Sequence, residues 1–299
     1  MIAISHESIK TNGLRFEVTT AGTGDKLALL LHGFPECAYS WRYQVPLLVR
    51  MGYRVWAPDL RGYGKSDKPR RISDYAIDKL EQDVADLIDA SDATSVLLGG
   101  HDWGGLIAWH FAMYGLRPIE RLVIMNVPHP ACFYQGARTL RQLRKSWYIA
   151  FFQIPWLPEL LLSRRNYELV AHAFTRMAVD KSRFPDEVLE VFRKNASEPG
   201  ALTAMLNYYR AARRSARVHR QRGFPRIEVP TLMIWGERDA ALGRELTYGT
   251  SQYVSDLTMR YLPDVSHWVQ QEAPETVNAM LEAWLNGEPV PEAERPQTD

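Results

Sequence analysis

This chain of 299 residues has only two cysteines, almost no net charge and no long apolar run. Cys37 and Cys132 offer no metal or redox spacing, so free thiols in a reducing compartment are expected rather than a disulfide. A formal charge of +1, with no basic run interleaved with stacking aromatics, points away from nucleic acid. Nothing approaches the ~20 apolar residues of a membrane span, and Met1 to Lys10 lacks the apolar core of a signal peptide. The expectation is a soluble cytoplasmic protein, built as one large domain or as a core with an insertion.

What the chain does contain is an alternation of strand and helix patterns. Leu14 to Thr20 alternates like a half-exposed edge strand. Buried strands are predicted at Lys26 to Leu31, Tyr53 to Ala57, Ser95 to Leu98 and Arg121 to Asn126. Helices are predicted over Tyr39 to Met51, with Pro46 starting or kinking it, over Ile77 to Ala90, and over Leu106 to Tyr114. From about Ala131 to Gly223 only helical stretches appear, rich in aromatics and arginine and broken at Pro155, Pro158, Pro185 and Pro199. Strands then return at Thr231 to Trp235 and Thr258 to Leu262, followed by a helix over Glu275 to Leu285. This reads as a mainly parallel α/β sheet split by a helical insertion that would hang over the reactive edge as a lid. The units are a core over 1–130, an all-helical cap over 131–223, and the rest of the core over 224–299. The polar, Pro-rich tail from Gly287 to Asp299 is expected to be loose.

The chemistry centres on Gly100-His101-Asp102-Trp103-Gly104-Gly105, where a strand pattern turns abruptly into a helix pattern. Glycines two residues before and after Asp102 fit the G-x-S-x-G nucleophile elbow, with aspartate in place of serine. A carboxylate is ionised at pH 7 and needs no base to attack an alkyl carbon. Asp239 follows the strand ending at Trp235, and His267 lies in the loop after the next strand. The order nucleophile, acid, base is that of α/β-hydrolases. By contrast, Gly64-Lys65-Ser66 is no phosphate loop, since Asp59 stands where the first glycine is required. The turn at Phe34-Pro35 can aim the Phe34 backbone N–H across the sheet toward the elbow, with the proline able to be cis.

These segments resemble the soluble epoxide hydrolases of the α/β-hydrolase superfamily over nearly the whole chain. His32-Gly33-Phe34-Pro35-Glu36, continuing to Tyr39-Ser40-Trp41-Arg42-Tyr43-Gln44, is similar to the family's oxyanion-hole segment, and Gly100 to Gly105 is similar to its elbow. Asn207-Tyr208-Tyr209-Arg210 resembles the motif carrying one of two acid tyrosines, and Tyr148 sits where the other would be. Ser266 departs from the family's glycine before the histidine, which puts the detailed shape of that loop in doubt.

The resemblance implies an eight-stranded, mainly parallel sheet with an inserted cap. It also implies a covalent alkyl ester on Asp102, hydrolysed by water that His267 and Asp239 activate. Tyr148 and Tyr209 would serve as acids and the N–H groups of Phe34 and Trp103 as an oxyanion hole, with Glu36 and His101 as a water-positioning pair. Neither cofactor nor metal is implied. The partners are a small hydrophobic epoxide and water, and a homodimer through an exposed lid face is left open.

A haloalkane or haloacid dehalogenase would use the same triad, with the Trp103 indole facing halide, but haloalkane dehalogenases carry Asn where Phe34 stands. A catalytically silent ligand-binding protein would retain only the pocket. The aromatic content of the lid, with Trp147, Phe151, Phe152, Trp156 and Phe174, suggests an apolar pocket, without marking which of them line it. The run from Arg210 to Arg222 reads as a solvated helix, with Arg210, Arg213, Arg214 and Arg217 on one side.

Overall fold

The computed structural model describes residues 2–137 and 139–293, with the side chains of 215–220 outside the description. Eight strands form one sheet: β1 (Ile4–Thr11), β2 (Leu14–Ala21), β3 (Lys26–Leu31), β4 (Arg54–Pro58), β5 (Ser95–His101), β6 (Arg121–Met125), β7 (Thr231–Gly236) and β8 (Leu257–Leu262). Their order is β1-β2-β4-β3-β5-β6-β7-β8, antiparallel at β1/β2 and β2/β4 and parallel from β4 onward. The strands from β3 inward are apolar almost throughout because both faces are covered. Leu27, Leu29 and Leu31 join one buried cluster, while Ala28 and Leu30 join the other.

Twelve α-helices accompany the sheet among the described residues. They are α1 (Gln44–Arg50), α2 (Ile77–Ala90), α3 (Asp102–Tyr114), α4 (Pro130–Gly136), α5 (Leu140–Lys145), α6 (Trp147–Phe151), α7 (Leu157–Leu162), α8 (Arg164–Met177), α9 (Asp186–Ser197), α10 (Ala201–Arg222), α11 (Val269–Glu272) and α12 (Pro274–Leu285). On α2 the apolar positions Ile77, Leu80, Val84, Leu87 and Ile88 are all buried, as their helical spacing requires. Between β6 and β7 the described residues hold α4 to α10 and no strand; this cap packs over the loops at the C-terminal strand ends. Tyr208 of α10 donates its hydroxyl to the Arg61 carbonyl at 2.7 Å, and Tyr209 lies edge-on to Phe34.

Several sequence expectations change. β2 is not an edge strand, because β1 pairs along its full length. The sequence pattern misses β1, ISHESIKT, since nearly all of it is exposed and no buried face imposes a period. The helix expected over Tyr39 to Met51 divides into a 3₁₀ turn over Ala38–Trp41 and α1. The helix expected from Leu106 starts four residues earlier, at Asp102. Arg210 is 8% exposed rather than solvated. It donates to the Phe152 and Ile154 carbonyls at 3.0 and 3.1 Å and pairs with Glu159 at 2.7 Å. Arg213 and Arg214 are exposed, and the Arg217 side chain lies outside the described residues. Residues 287–293 of the tail are described, and 294–299 lie outside.

Candidate active site

The strand order reverses around β3 and β5, so their C-terminal ends open a crevice at the switch point of the sheet. Asp102 follows β5 with a φ of 48°, a left-handed conformation that costs an aspartate on the order of 1–3 kcal/mol and marks a constrained turn. The flanking glycines make that turn physically possible. A Cβ on Gly100 would meet the Gly104 carbonyl oxygen at 2.5 Å, and one on Gly104 would meet the Leu31 carbonyl oxygen at 2.2 Å. A Cβ on Gly33 would stand 2.5 Å from the Asp102 Cβ, so the β3 loop runs directly against the carboxylate.

That loop supplies a donor. The Phe34 N–H points at Asp102 Oδ1 at 2.9 Å, beside a cis Phe34–Pro35 bond. His32 holds the loop in register by donating from Nδ1 to the Gly33 carbonyl at 2.8 Å and accepting the Leu60 N–H at Nε2, 3.0 Å. Burial keeps this imidazole neutral by pushing its pKa down. Trp103 follows Asp102 as the second residue of α3, and its indole packs edge-on against both Tyr208 and Tyr209.

Opposite this loop, His267 brings Nε2 to 3.5 Å from Asp102 Oδ2 and Nδ1 to 2.6 Å from Asp239 Oδ2. Burial alone would lower the imidazole pKa, but the Asp239 and Asp102 carboxylates outweigh it and carry it up to about 10. Asp239 is itself buried, which would raise its carboxyl pKa, yet His267 and its hydrogen bonds hold it low. Its Oδ1 accepts the Ala241 and Leu242 N–H groups at 2.7 and 2.9 Å, and Oδ2 accepts Asn126 Nδ2 at 2.8 Å. Asn126 was missed in the sequence. It caps the apolar run of β6 at a φ of 42° and also accepts the Gly236 N–H at 2.8 Å, so one side chain fixes both the β7 end and the acid.

Glu36 and His101 form a fully buried pair, Nδ1 to Oε2 at 2.7 Å, and His101 Nε2 meets the His267 carbonyl at 2.8 Å. Glu36 further accepts the Gly33 N–H at 2.7 Å and the amides of Gln270 and Gln271 at 3.0 and 2.7 Å. Burial would raise its carboxyl pKa, but His101 and these donors bring it down to about 2. The two glutamines of α11 gave no sequence signal, since a buried amide is indistinguishable in the sequence from an exposed one. Ser266 donates its hydroxyl to Glu272, whose other oxygen accepts the Val179 and Asp180 N–H groups of the cap, both at 3.0 Å.

Above Asp102 the cap supplies Tyr148 from α6 and Tyr209 from α10, with ring centroids 6.0 Å apart. Burial raises both phenol pKa values, and the Asp102 charge raises them further, so both keep their protons. Of the lid aromatics, Phe152 is buried against Phe34 and Tyr209. Trp147 and Trp156 instead face outward, at 65% and 73% exposure, and Phe174 belongs to a separate cluster with Trp268. Helical spacing alone cannot tell which side of a lid faces the core.

This sheet order and sharp strand-to-helix turn define an α/β hydrolase fold, and the model of the α/β-hydrolase-fold family matches residues 29–274. The human protein named Epoxide hydrolase 4 is 39% identical over 287 residues, spanning 94% of this chain and 78% of that protein. The YfhM protein of Bacillus subtilis, an AB hydrolase superfamily protein, is 38% identical over 96% of this chain and all of its own length. The crystal structure of the Bacillus megaterium epoxide hydrolase with an inhibitor superposes with a TM-score of 0.86 at 30% identity, over 94% of this chain and all of that one. Within the α/β-hydrolase fold, this chain belongs to the epoxide hydrolase family. Among its described residues no helix is long and apolar enough to cross a membrane.

Proposed function

We propose that the protein opens an epoxide to a vicinal diol through an alkyl ester on Asp102. The observation that carries this reading is that Asp102 stands 3.5 Å from His267 while Tyr209, paired with Tyr148, packs on the adjacent Trp103. The division into a core over 1–130, a cap over 131–223 and a core over 224–299 belongs to the same reading, since it puts the phenols on one unit and the carboxylate on another. The epoxide oxygen sits between the Tyr148 and Tyr209 hydroxyls, and Asp102 attacks ring carbon from the opposite side. One phenol gives its proton to the opening oxygen. Esterification removes the Asp102 charge, which lowers the His267 pKa and lets the imidazolium return a proton to the phenolate.

Neutral His267, held by Asp239, then takes a proton from water as the water oxygen bonds to the Asp102 carboxyl carbon. The N–H groups of Phe34 and Trp103 steady the resulting oxyanion, each worth on the order of 3 kcal/mol. Collapse of the adduct expels the alkoxide, which takes the remaining water-derived proton and leaves as diol. Asp102 is then a carboxylate again and His267 an imidazolium, as at the start. Glu36 and His101 fix the backbone around that water. The paired cap phenols, which a departing halide does not require, favour the epoxide as the group bound there. A single turnover in heavy-oxygen water should leave the label in Asp102. Label found only in the diol would refute the ester.

A further inference from the structure

Seven of the nine tryptophans, Trp41, Trp56, Trp103, Trp109, Trp235, Trp268 and Trp284, are at most 8% exposed. Trp147 and Trp156, both on the cap, break that rule, and Trp156 does so at a φ of 53°, an unusual backbone for a bulky side chain. They are not isolated. Leu140 is 77% exposed, Leu143 54%, Ile154 42% and Leu160 48%. Six of the eleven exposed large apolar residues described thus fall within 21 residues of chain, which scattered surface hydrophobics do not do.

All six are exposed along α5 to α7 of the cap. Ser146 alone separates α5 from α6, and Leu140, Leu143 and Trp147 stand three and four residues apart along them. The opposite side of the same helices is committed inward. Gln142 is fully buried and donates to the Ala241 carbonyl at 2.8 Å, and Tyr148 and Phe152 face the site. The Arg210 guanidinium then holds the Phe152 and Ile154 carbonyls and Glu159, and the Ile154 N–H donates to the Phe151 carbonyl at 3.1 Å, so the turn that carries Ile154 and Trp156 stays tied to the end of α6.

The charge around this patch is mainly positive, although Arg141 pairs with Glu245 at 3.6 Å and Arg165 with Glu168 at 3.5 Å. From Thr139 to Arg165 the chain carries Arg141, Arg144, Lys145, Arg164 and Arg165 against the single acid Glu159, which Arg210 already neutralises. Arg141, Arg144, Arg164 and Arg165 are exposed. Tryptophan and leucine between arginines is the composition of a segment that lies in a lipid interface, with indoles at headgroup depth and guanidinium groups on lipid phosphates. A second copy of this chain fits poorly, because a two-fold contact would set the two arginine rims against each other.

We infer that the outer face of α5 to α7 docks the protein on an anionic lipid surface. An apolar substrate dissolved in that surface would then reach the cap without crossing bulk water. The test is flotation of the full chain with vesicles of phosphatidylcholine alone and with roughly one-third phosphatidylglycerol. Binding to the anionic vesicles is expected, weakening steeply with salt, with a blue shift of tryptophan emission. The Trp147→Ser/Trp156→Ser double variant should lose binding by about tenfold or more while keeping its rate on a water-soluble epoxide. Absence of binding to anionic vesicles at low salt would overturn the inference. So would binding that the double variant retains, or a dimer in solution that the same variant dissociates.

Discussion

Replacing Asp102 by Asn removes a charge 3.5 Å from His267 Nε2. Two unit charges at that distance interact by about 5 kcal/mol at an effective dielectric near 20. The carboxylate spreads its charge over two oxygens and is 17% exposed, which reduces the expected fall in imidazole pKa to roughly one to three units. His267 should therefore titrate between about 7 and 9 in Asp102→Asn, against about 10 in the parent. Asp239 remains in place and keeps it from falling further. The assay is a histidine-labelled NMR titration of both proteins. A shift under about half a unit would refute the coupling, and with it the step in which ester formation readies His267 as a base. The stability consequence has a definite sign. A pKa raised in the fold above 6.5 contributes stability that is complete below that value and is lost as pH rises through about 10. The parent should therefore lose more stability than Asp102→Asn between neutral pH and pH 10.

His267→Gln should form the ester and stop, so that mass spectrometry finds one substrate mass on the protein and steady turnover falls by about 10⁴. Tyr148→Phe and Tyr209→Phe should each slow ester formation by about 10²-fold, with the ester hydrolysis rate nearly unchanged in stopped-flow traces. Glu36→Gln should slow hydrolysis of the ester more than its formation, and equal slowing of both would remove Glu36 from the water step. Because the Glu36 pKa is depressed to about 2, its contribution to stability is present above about 4.5 and lost as pH falls, so this variant should show a flatter acid-unfolding curve. Gly104→Ala must move the Leu31 or His32 carbonyl, and a loss of several kcal/mol in denaturant titration is expected.

Much of the frame was legible because burial on two sheet faces writes itself as continuous apolar runs, and α2 shows its buried stripe at every expected position. Asp102, Asp239 and His267 could be read from strand ends, which chain order alone locates. The structure brings those three together with Phe34, Tyr148 and Tyr209 in one crevice. The unread parts lacked a period or a partner. β1 gains its place by pairing with β2, and Asn126, Gln270 and Gln271 matter only through groups distant in sequence. Arg210 looked solvated because four of its five acceptors come from the turn over 152–159.

Glu36 touches neither the attacking carboxylate nor the imidazole side chain, yet its two oxygens collect the Gly33 amide, the His101 ring and both α11 glutamines. Three segments that the chain delivers separately thereby share a single anionic anchor. Protonating it would slacken all three segments together, so acid inactivation of this protein should arrive as one cooperative event rather than as successive losses of individual loops.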